Sequence, residues 1–302
     1  MDGSVCCYHA AVRWQRRDHA EQKPGRIRLA PNRGKAPCGP NSANSRKSPN
    51  SQDKNGILRV AAANVTSLRK LADSLQKLAR AAVAVYAYQP TGSESEEYHK
   101  WYFNTFVWKK TTWMGVNCWK SVADMWNYQE ILFELKPSLV IEFGTAHGGS
   151  ALFFANIMRQ IGAPFKVLSV DITHERLEPA ARRDPDIVFV ESRSTVPAVA
   201  EHIQRLKNDF PGKIFAILDS DHTKDNVLAE MKLLRPLLSA GDYLIVEDST
   251  LNGHPVLPGW GPGPYEAIEA YEQEFPDDYT HDVERETKFG WTFAPHGYLI
   301  RT

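Results

Sequence analysis

From Leu139 onward the chain alternates short apolar runs with stretches of helical spacing, and no other feature constrains its fold as strongly. The runs are Leu139–Phe143, Lys166–Asp171, Ile187–Glu191, Ile214–Asp219 and Tyr243–Glu247. Helical spacing fills Ser150–Ile161, His174–Ala181, Val196–Asp209 and Asp225–Leu238. Strands that are apolar throughout and joined by crossover helices form a parallel sheet covered on both faces. The run from Gly290 to Ile300 reads differently, as a hairpin closing one sheet edge. The expectation is an α/β domain of about seven strands, mostly parallel, with an antiparallel C-terminal hairpin. Ligands of such sheets bind beyond the C-terminal strand ends, so chemistry is sought at those tips.

The N-terminal part is a different object. Residues 1–60 carry twelve Lys and Arg against four Asp and Glu, although the 302-residue chain has no formal net charge. Between Gln22 and Lys54 the only large apolar residues are Ile27 and Leu29. That is too little apolar surface to offset the entropy of ordering, so residues 1–60 read as a disordered basic tail. The remainder is acidic overall and offers no attraction to nucleic acid. Residues 61–125 read as a helical and aromatic-rich extension, with helical spacing from Val65 to Ala87 and Thr66-Ser67 as its cap. Trp101, Tyr102, Phe103, Phe106, Trp108 and Trp113 follow without interleaved basic clusters, which suits a core or subunit contact rather than base stacking. A homo-oligomer is expected from them, and the catalytic domain is expected over 126–302, beginning with a helix around Met125–Phe133. Cys6, Cys7, Cys38 and Cys118 have no metal-ligand or disulfide-framework spacing. No stretch approaches the roughly 18 apolar residues of a membrane span. A reduced, cytoplasmic protein without a membrane segment is the expectation.

The first strand runs through Glu142 and Phe143 into Gly144-Thr145-Ala146-His147-Gly148-Gly149-Ser150 and then directly into a helix. Glycines let a backbone approach a ligand closely, and a helix N-terminus presents free N–H groups. The spacing is not the GxGxxG of a dinucleotide site, and Glu142 would repel a pyrophosphate. A carboxylate there can instead pair with the ammonium of a methionyl group. Asp171 ends the second strand, where such folds hold a ribose diol, although an acid there also suits a helix cap. Glu142, Gly144, Thr145, Ala146, His147, Gly148, Ser150, Asp171, Ser192 and Asp219 form the candidate cofactor set, with His147 read as a packing group of the loop.

Two adjacent strand tips bring Asp219, Asp221, Glu247 and Asp248 together. Like charges so close repel unless some stay protonated or a cation sits among them. A hard dication accepts oxygen ligands, so Asp219, Glu247 and Asp248 are candidate ligands of Mg2+, favoured over zinc because no Cys or His cluster accompanies them. Asp221 serves equally well as a helix cap or a substrate contact. His222 follows Asp219 by three residues, and its ordinary pKa of about 6.5 suits a general base. The loop from Leu251 to Pro264 is too rich in Gly and Pro to be regular; His254 and Trp260 on it are candidate substrate contacts.

Trp126-Asn-Tyr-Gln-Glu-Ile-Leu-Phe-Glu, Glu142-Phe-Gly-Thr-Ala-His-Gly-Gly-Ser, Leu218-Asp-Ser-Asp-His, Val246-Glu-Asp-Ser and Gly261-Pro-Gly-Pro together resemble the cephalosporin hydroxylase / rhamnosyl O-methyltransferase family. The resemblance spans roughly residues 100–302. It implies a Rossmann-like methyltransferase fold, S-adenosylmethionine (SAM) and Mg2+ as cofactors, and methylation of a hydroxyl on a glycolipid sugar or an antibiotic-type natural product. The more distant catechol-type enzymes are similar in their acids after strands four and five, but typically carry Lys where this chain has His222. A hydroxylase of the non-haem iron type needs a two-histidine, one-carboxylate face on an all-β scaffold, and none is evident. The rival readings are a nicotinamide-dependent oxidoreductase, disfavoured by the loop spacing, and a non-catalytic sugar-binding protein on the same fold.

Overall fold

The structure, a computed structural model, describes residues 67–82 and 92–302. The expected basic tail lies outside the described residues, as does Thr66. Residues 67–82 form a helix, α1.

The compact unit Ala82–Thr302 begins, within the described residues, with α2 (Glu94–Asn104), a 3₁₀ turn (Val107–Lys110), the two-stranded ribbon β1 (Thr112–Trp113) and β2 (Val116–Asn117), and α3 (Val122–Leu135). The alternating part follows as β3 (Leu139–Phe143), α4 (Gly149–Ile161), β4 (Lys166–Asp171), α5 (Pro179–Arg182), β5 (Ile187–Glu191), α6 (Pro197–Asp209), β6 (Ile214–Leu218), α7 (Lys224–Leu234), β7 (Tyr243–Val246) and α8 (Pro264–Glu274). It ends with β8 (Tyr279–His281), α9 (Val283–Thr287) and β9 (Tyr298–Arg301). The seven-stranded sheet has the order β5-β4-β3-β6-β7-β9-β8. Pairing is parallel from β5 to β7 and antiparallel from β7 through β9 to β8.

Period-two alternation divides the central strand between two cores. Leu139, Ile141 and Phe143 face α6, α7 and α8, packing with Val199, Ile203, Met231 and Tyr271. Val140 faces α3 and α4, packing with Tyr128, Ile131, Phe154 and Met158. Each fully buried Leu, Ile or Phe contributes about 1.5–3 kcal/mol. Glu142 shares the parity of Val140 and is driven into the same interior with no exposed surface.

Two expectations change in position. The C-terminal hairpin exists, but only Tyr298–Arg301 of the run from Gly290 is strand; its partner is β8, and β9 lies inside the sheet between β7 and β8. The helix expected over His174–Ala181 shrinks to α5 because Pro179 holds Glu178 in an extended conformation, which ends helix on its N-terminal side. A division at residue 125 falls inside α3. Tyr102 and Phe103 from the aromatic stretch share a buried cluster with Leu251, Val256 and Phe293, whereas Trp101 and Phe106 remain about half exposed. Asp124 anchors α3 to the segment before β9, accepting from the Phe293 N–H at 2.8 Å and the Tyr298 hydroxyl at 2.7 Å.

Candidate active site

The tips of β3, β4, β6 and β7 open on one cavity of about 620 Å³. Gly144, Thr145, Ala146, His147, Ser150, Asp171, Ser192, Asp219, Asp221, His222 and Asp248 line it; Glu142, Gly148, Glu247, His254 and Trp260 do not. The floor is built where β3 and β6 almost touch. Gly144 has φ 102°, and a Cβ there would lie 1.9 Å from the Asp219 carbonyl oxygen, so no other residue fits. Asp171 fixes the loop from the β4 side: its Oδ2 accepts the Thr145 and Ala146 N–H groups, each at 2.9 Å, and its Oδ1 accepts from Thr173 at 3.3 Å. The cap reading of Asp171 is therefore part of the answer, since its carboxylate holds backbone amides on both sides. Ser192 is tied to the same strand tip, donating its N–H to the Asp171 carbonyl at 2.7 Å. His147 packs edge-on against Trp119, with ring centroids 4.8 Å apart, and its Nδ1 lies 3.7 Å from Glu178 Oε1.

Beneath the loop, Glu142 accepts the Ser169 hydroxyl on Oε2 at 2.6 Å, and its Oε1 has no hydrogen-bond partner. Burial raises this carboxyl to about 7, against the pull of Lys120. A buried carboxylate oxygen without a donor is costly, which is why burial favours the protonated form. Gly148 lies back from the cavity, at φ 83° and close to Leu177 and Ala181, so it serves packing.

On the acidic side the structure reveals a residue that sequence reasoning missed. Lys120, just ahead of α3, is buried and places its Nζ on Asp219 Oδ2 and 3.2 Å from Glu247 Oε1. Burial works against its ammonium, but Asp219, Glu247 and Glu142 outweigh that and raise its pKa above the ordinary lysine range. Glu247 turns inward, accepting the Tyr128 hydroxyl at 2.7 Å, and burial raises its pKa. The three donors that do converge are Asp219, His222 and Asp248, each offering an atom within 4.8 Å of the others. His222 Nε2 lies 3.2 Å from Asp248 Oδ2, and Asp248 is held at φ 55°, a backbone conformation unusual outside glycine. Of the three acids read as metal ligands, Asp219 and Asp248 come together beside His222, while Glu247 faces Lys120.

The remaining expectations separate. Asp221 accepts the Thr223 N–H at 3.0 Å and caps the approach to α7 while lining the cavity. His254 and Trp260 do not reach the cavity. Their loop is clamped to α8, with Asn252 and Gly263 both donating to Glu266 at 2.7 Å, and His254 stacks on Tyr265 at 3.8 Å. Trp108, Lys109, Asn117, Trp119, Arg176 and Arg193 complete the wall.

This sheet order, with a glycine loop after its central strand and acids at the next two tips, is that of the class I methyltransferases. Two solved CmcI structures, an Mg–SAM form and an apo form, share the fold at TM-score 0.53 and 22% identity, covering 64% of this chain and 77% of theirs. The family model described as Rhamnosyl O-methyltransferase/CmcI matches residues 105–302. The rhamnosyl O-methyltransferase of Mycobacterium tuberculosis H37Rv is 71% identical over 236 residues, 78% of this chain and 96% of its own. That of Mycobacterium leprae TN is 73% identical over 214 residues, 71% of this chain and 93% of its own. The chain belongs to the Rhamnosyl O-methyltransferase/CmcI family and is a SAM-dependent O-methyltransferase. The nicotinamide and non-catalytic readings are set aside by that membership. Among the described residues, no helix is long and apolar enough to cross a membrane.

Proposed function

We propose that this enzyme methylates a hydroxyl of a rhamnosyl unit on a glycolipid or glycosylated natural product, with Mg2+ held at Asp219 and Asp248. The observation that carries the reading is the pairing of an acidic cluster at two strand tips with an unpartnered buried Glu142 oxygen one strand away. The rhamnosyl acceptor is favoured because the relatives at 71% and 73% identity bear that name over nearly their whole length.

In this reading Gly144, Thr145, Ala146 and Ser150 would line the SAM site and Asp171 would hold its ribose, while Glu142, buried beneath the loop, would attract its methionyl ammonium. The charge balance suits a dication: Asp219, Glu247 and Asp248 face the single ammonium of Lys120, leaving two negative charges when all are ionised. Hard oxygen donors suit Mg2+. When bound, that ion supplies Lewis acidity toward a hydroxyl oxygen. The chain's own residues do the rest. Lys120 holds Asp219 in place, His222 accepts the hydroxyl proton, and Asp248 stabilises the resulting imidazolium across 3.2 Å. Trp108 and Trp119 offer the apolar wall that a sugar face requires. Holding acceptor and donor in line contributes up to about 7–11 kcal/mol.

Incubation of the full chain with SAM and a rhamnosyl glycolipid, read as S-adenosylhomocysteine by mass spectrometry, tests this. Turnover is expected with Mg2+, lost on chelation and restored on re-addition. His222→Ala is expected to lose roughly 10²–10⁴-fold in rate, and Asp248→Asn to need far more Mg2+. Full-rate methylation in chelator overturns the metal assignment; transfer to non-sugar hydroxyls alone overturns the acceptor.

A further inference from the structure

The strand-tip cavity does not account for all the clustered histidines. Three C-terminal segments meet at Glu272 of α8, His281 at the end of β8, and His296 in the turn before β9. His281 Nε2 lies 2.5 Å from Glu272 Oε1, and His296 Nε2 lies 3.4 Å from Glu272 Oε2. The two imidazoles stack with centroids 4.1 Å apart and planes 27° apart, so both aim at one carboxylate from the same side. One donor atom of each residue falls within 4.8 Å of the other two, and none of the three lines the SAM cavity.

As an ion-pair cluster this arrangement is poor. Two protonated rings in a stack repel one another, and two neutral rings that donate through Nε2 to Glu272 leave the buried Nδ1 acceptor of His281 unused. His281 Nδ1 is buried without a hydrogen-bond partner, so the ring is held through Nε2 alone. His296 is held at φ 62°, and that strained backbone directs its ring into the group. Two imidazole nitrogens and one carboxylate oxygen around a common point, with side chains 22–34% exposed, form instead a three-ligand set with an open fourth position, a two-histidine, one-carboxylate grouping not evident in the sequence and here on an α/β scaffold.

We propose that Glu272, His281 and His296 form a second metal site, for a borderline transition-metal dication of the Zn2+ class, separate from the oxygen-rich Asp219–Asp248 site. Nitrogen donors select Zn2+ over Mg2+. The ion fastens α8 to β8 and to the turn carrying His296. The next residue, Gly297, accepts the Val246 N–H at 2.9 Å, immediately before Glu247 and Asp248. The site therefore braces the strand tip that carries the acids. Intervals of nine and fifteen residues conceal the trio in the sequence.

The test is equilibrium dialysis of the full chain against Zn2+ in excess Mg2+, with Co2+ spectra as a second readout of nitrogen ligation. One Zn2+ per chain is expected. Losing an outer-shell partner already weakens a metal roughly 10–100-fold, so His281→Ala and Glu272→Gln are expected to weaken Zn2+ at least roughly 100-fold and to abolish the Co2+ bands. Glu272→Gln keeps size and hydrogen-bonding capacity, and its melting temperature in chelator is compared with wild type to confirm folding. An Asp219→Asn, Asp248→Asn double variant is expected to retain its Zn2+. Absence of Zn2+ binding by the wild type, equal affinity in folded Glu272→Gln, or loss of Zn2+ only with the Asp219 and Asp248 changes overturns the proposal.

Discussion

Two buried carboxyls, one strand apart in the sheet from a shared neighbour, are treated in opposite ways. Glu247, after β7, receives the Tyr128 hydroxyl and the Lys120 ammonium, both from the α3 region. Glu142, on β3, accepts the Ser169 hydroxyl, with Ser150 and the Lys120 charge acting from farther off, and its Oε1 makes no hydrogen bond. Both are inaccessible to water, at 2% and 0% exposure. Burying a charge is expensive unless it is paired, so the fold has supplied a partner at one position and withheld it at the other. The paired side is scaffold for the acids at the next tip. The unpaired side, in the proposed reading, is where the cofactor's ammonium would act.

The largest effect that can break this contrast is removal of the supplied cation. Lys120→Met leaves Asp219 and Glu247 uncompensated in the interior, and breaking a buried pair in this way costs about 3–5 kcal/mol. The expected outcome in urea unfolding is a large fall in midpoint, partly recovered by Lys120→Met combined with Glu247→Gln. A Lys120→Met variant as stable as wild type shows that the two sides do not differ as described.

The same contrast explains what could be read from sequence. β3, β4 and β5 coincide with their apolar runs because a buried parallel strand carries its own length in its composition. The glycine loop, Asp171 and the acids after β6 and β7 are legible because each stands at a strand tip, and the sheet rule gathers tips. Lys120 is not, since it lies 99 residues from Asp219 and its immediate neighbours carry no acid. The accumulated carboxylates required a cation, and a lysine delivered from a distant segment meets part of that requirement, at Asp219 and Glu247. His254 and Trp260 were plausible contacts because Gly and Pro mark an irregular loop. Composition does not say which way such a loop folds, and here Glu266 draws it onto α8.

A smaller effect sharpens the unpaired side. Glu142 rises from 4.5 to about 7 on burial, which corresponds to about 3 kcal/mol of stability. The folded state holds the proton more tightly than the unfolded chain, so this contribution is fully present below pH of about 4.5 and lost as pH rises through about 7. Glu142→Gln is expected to flatten that part of the stability profile and to be the more stable protein above neutrality. SAM affinity should move the other way. A cationic ligand prefers the ionised carboxylate, so calorimetry is expected to show wild-type affinity increasing from pH 6 to pH 8, with no such rise in Glu142→Gln. Parallel profiles for the two proteins remove Glu142 from the ligand's ammonium.

The smallest effect concerns Asp171, a carboxylate that follows neither pattern because its partners are backbone amides. Its Oδ2 gathers the Thr145 and Ala146 N–H groups, and Ala146 adopts φ 43°, a conformation that an alanine holds only when neighbours fix it. Asp171→Ala removes a charged acceptor from both amides and, in the proposed reading, from the ribose, so SAM binding is expected to weaken by about 1.5–3 kcal/mol. Asp171→Asn separates the two roles. Its carbonyl oxygen can still accept the loop amides, while the ribose loses a carboxylate. If the loop contacts dominate, Asn binds SAM nearly as well as wild type and only Ala is impaired; if the ribose contact dominates, both fall together. Melting temperatures of the ligand-free variants should change little in either case, because the loop sits at a strand tip outside the two cores. Calorimetry showing unchanged SAM affinity for Asp171→Ala excludes both roles.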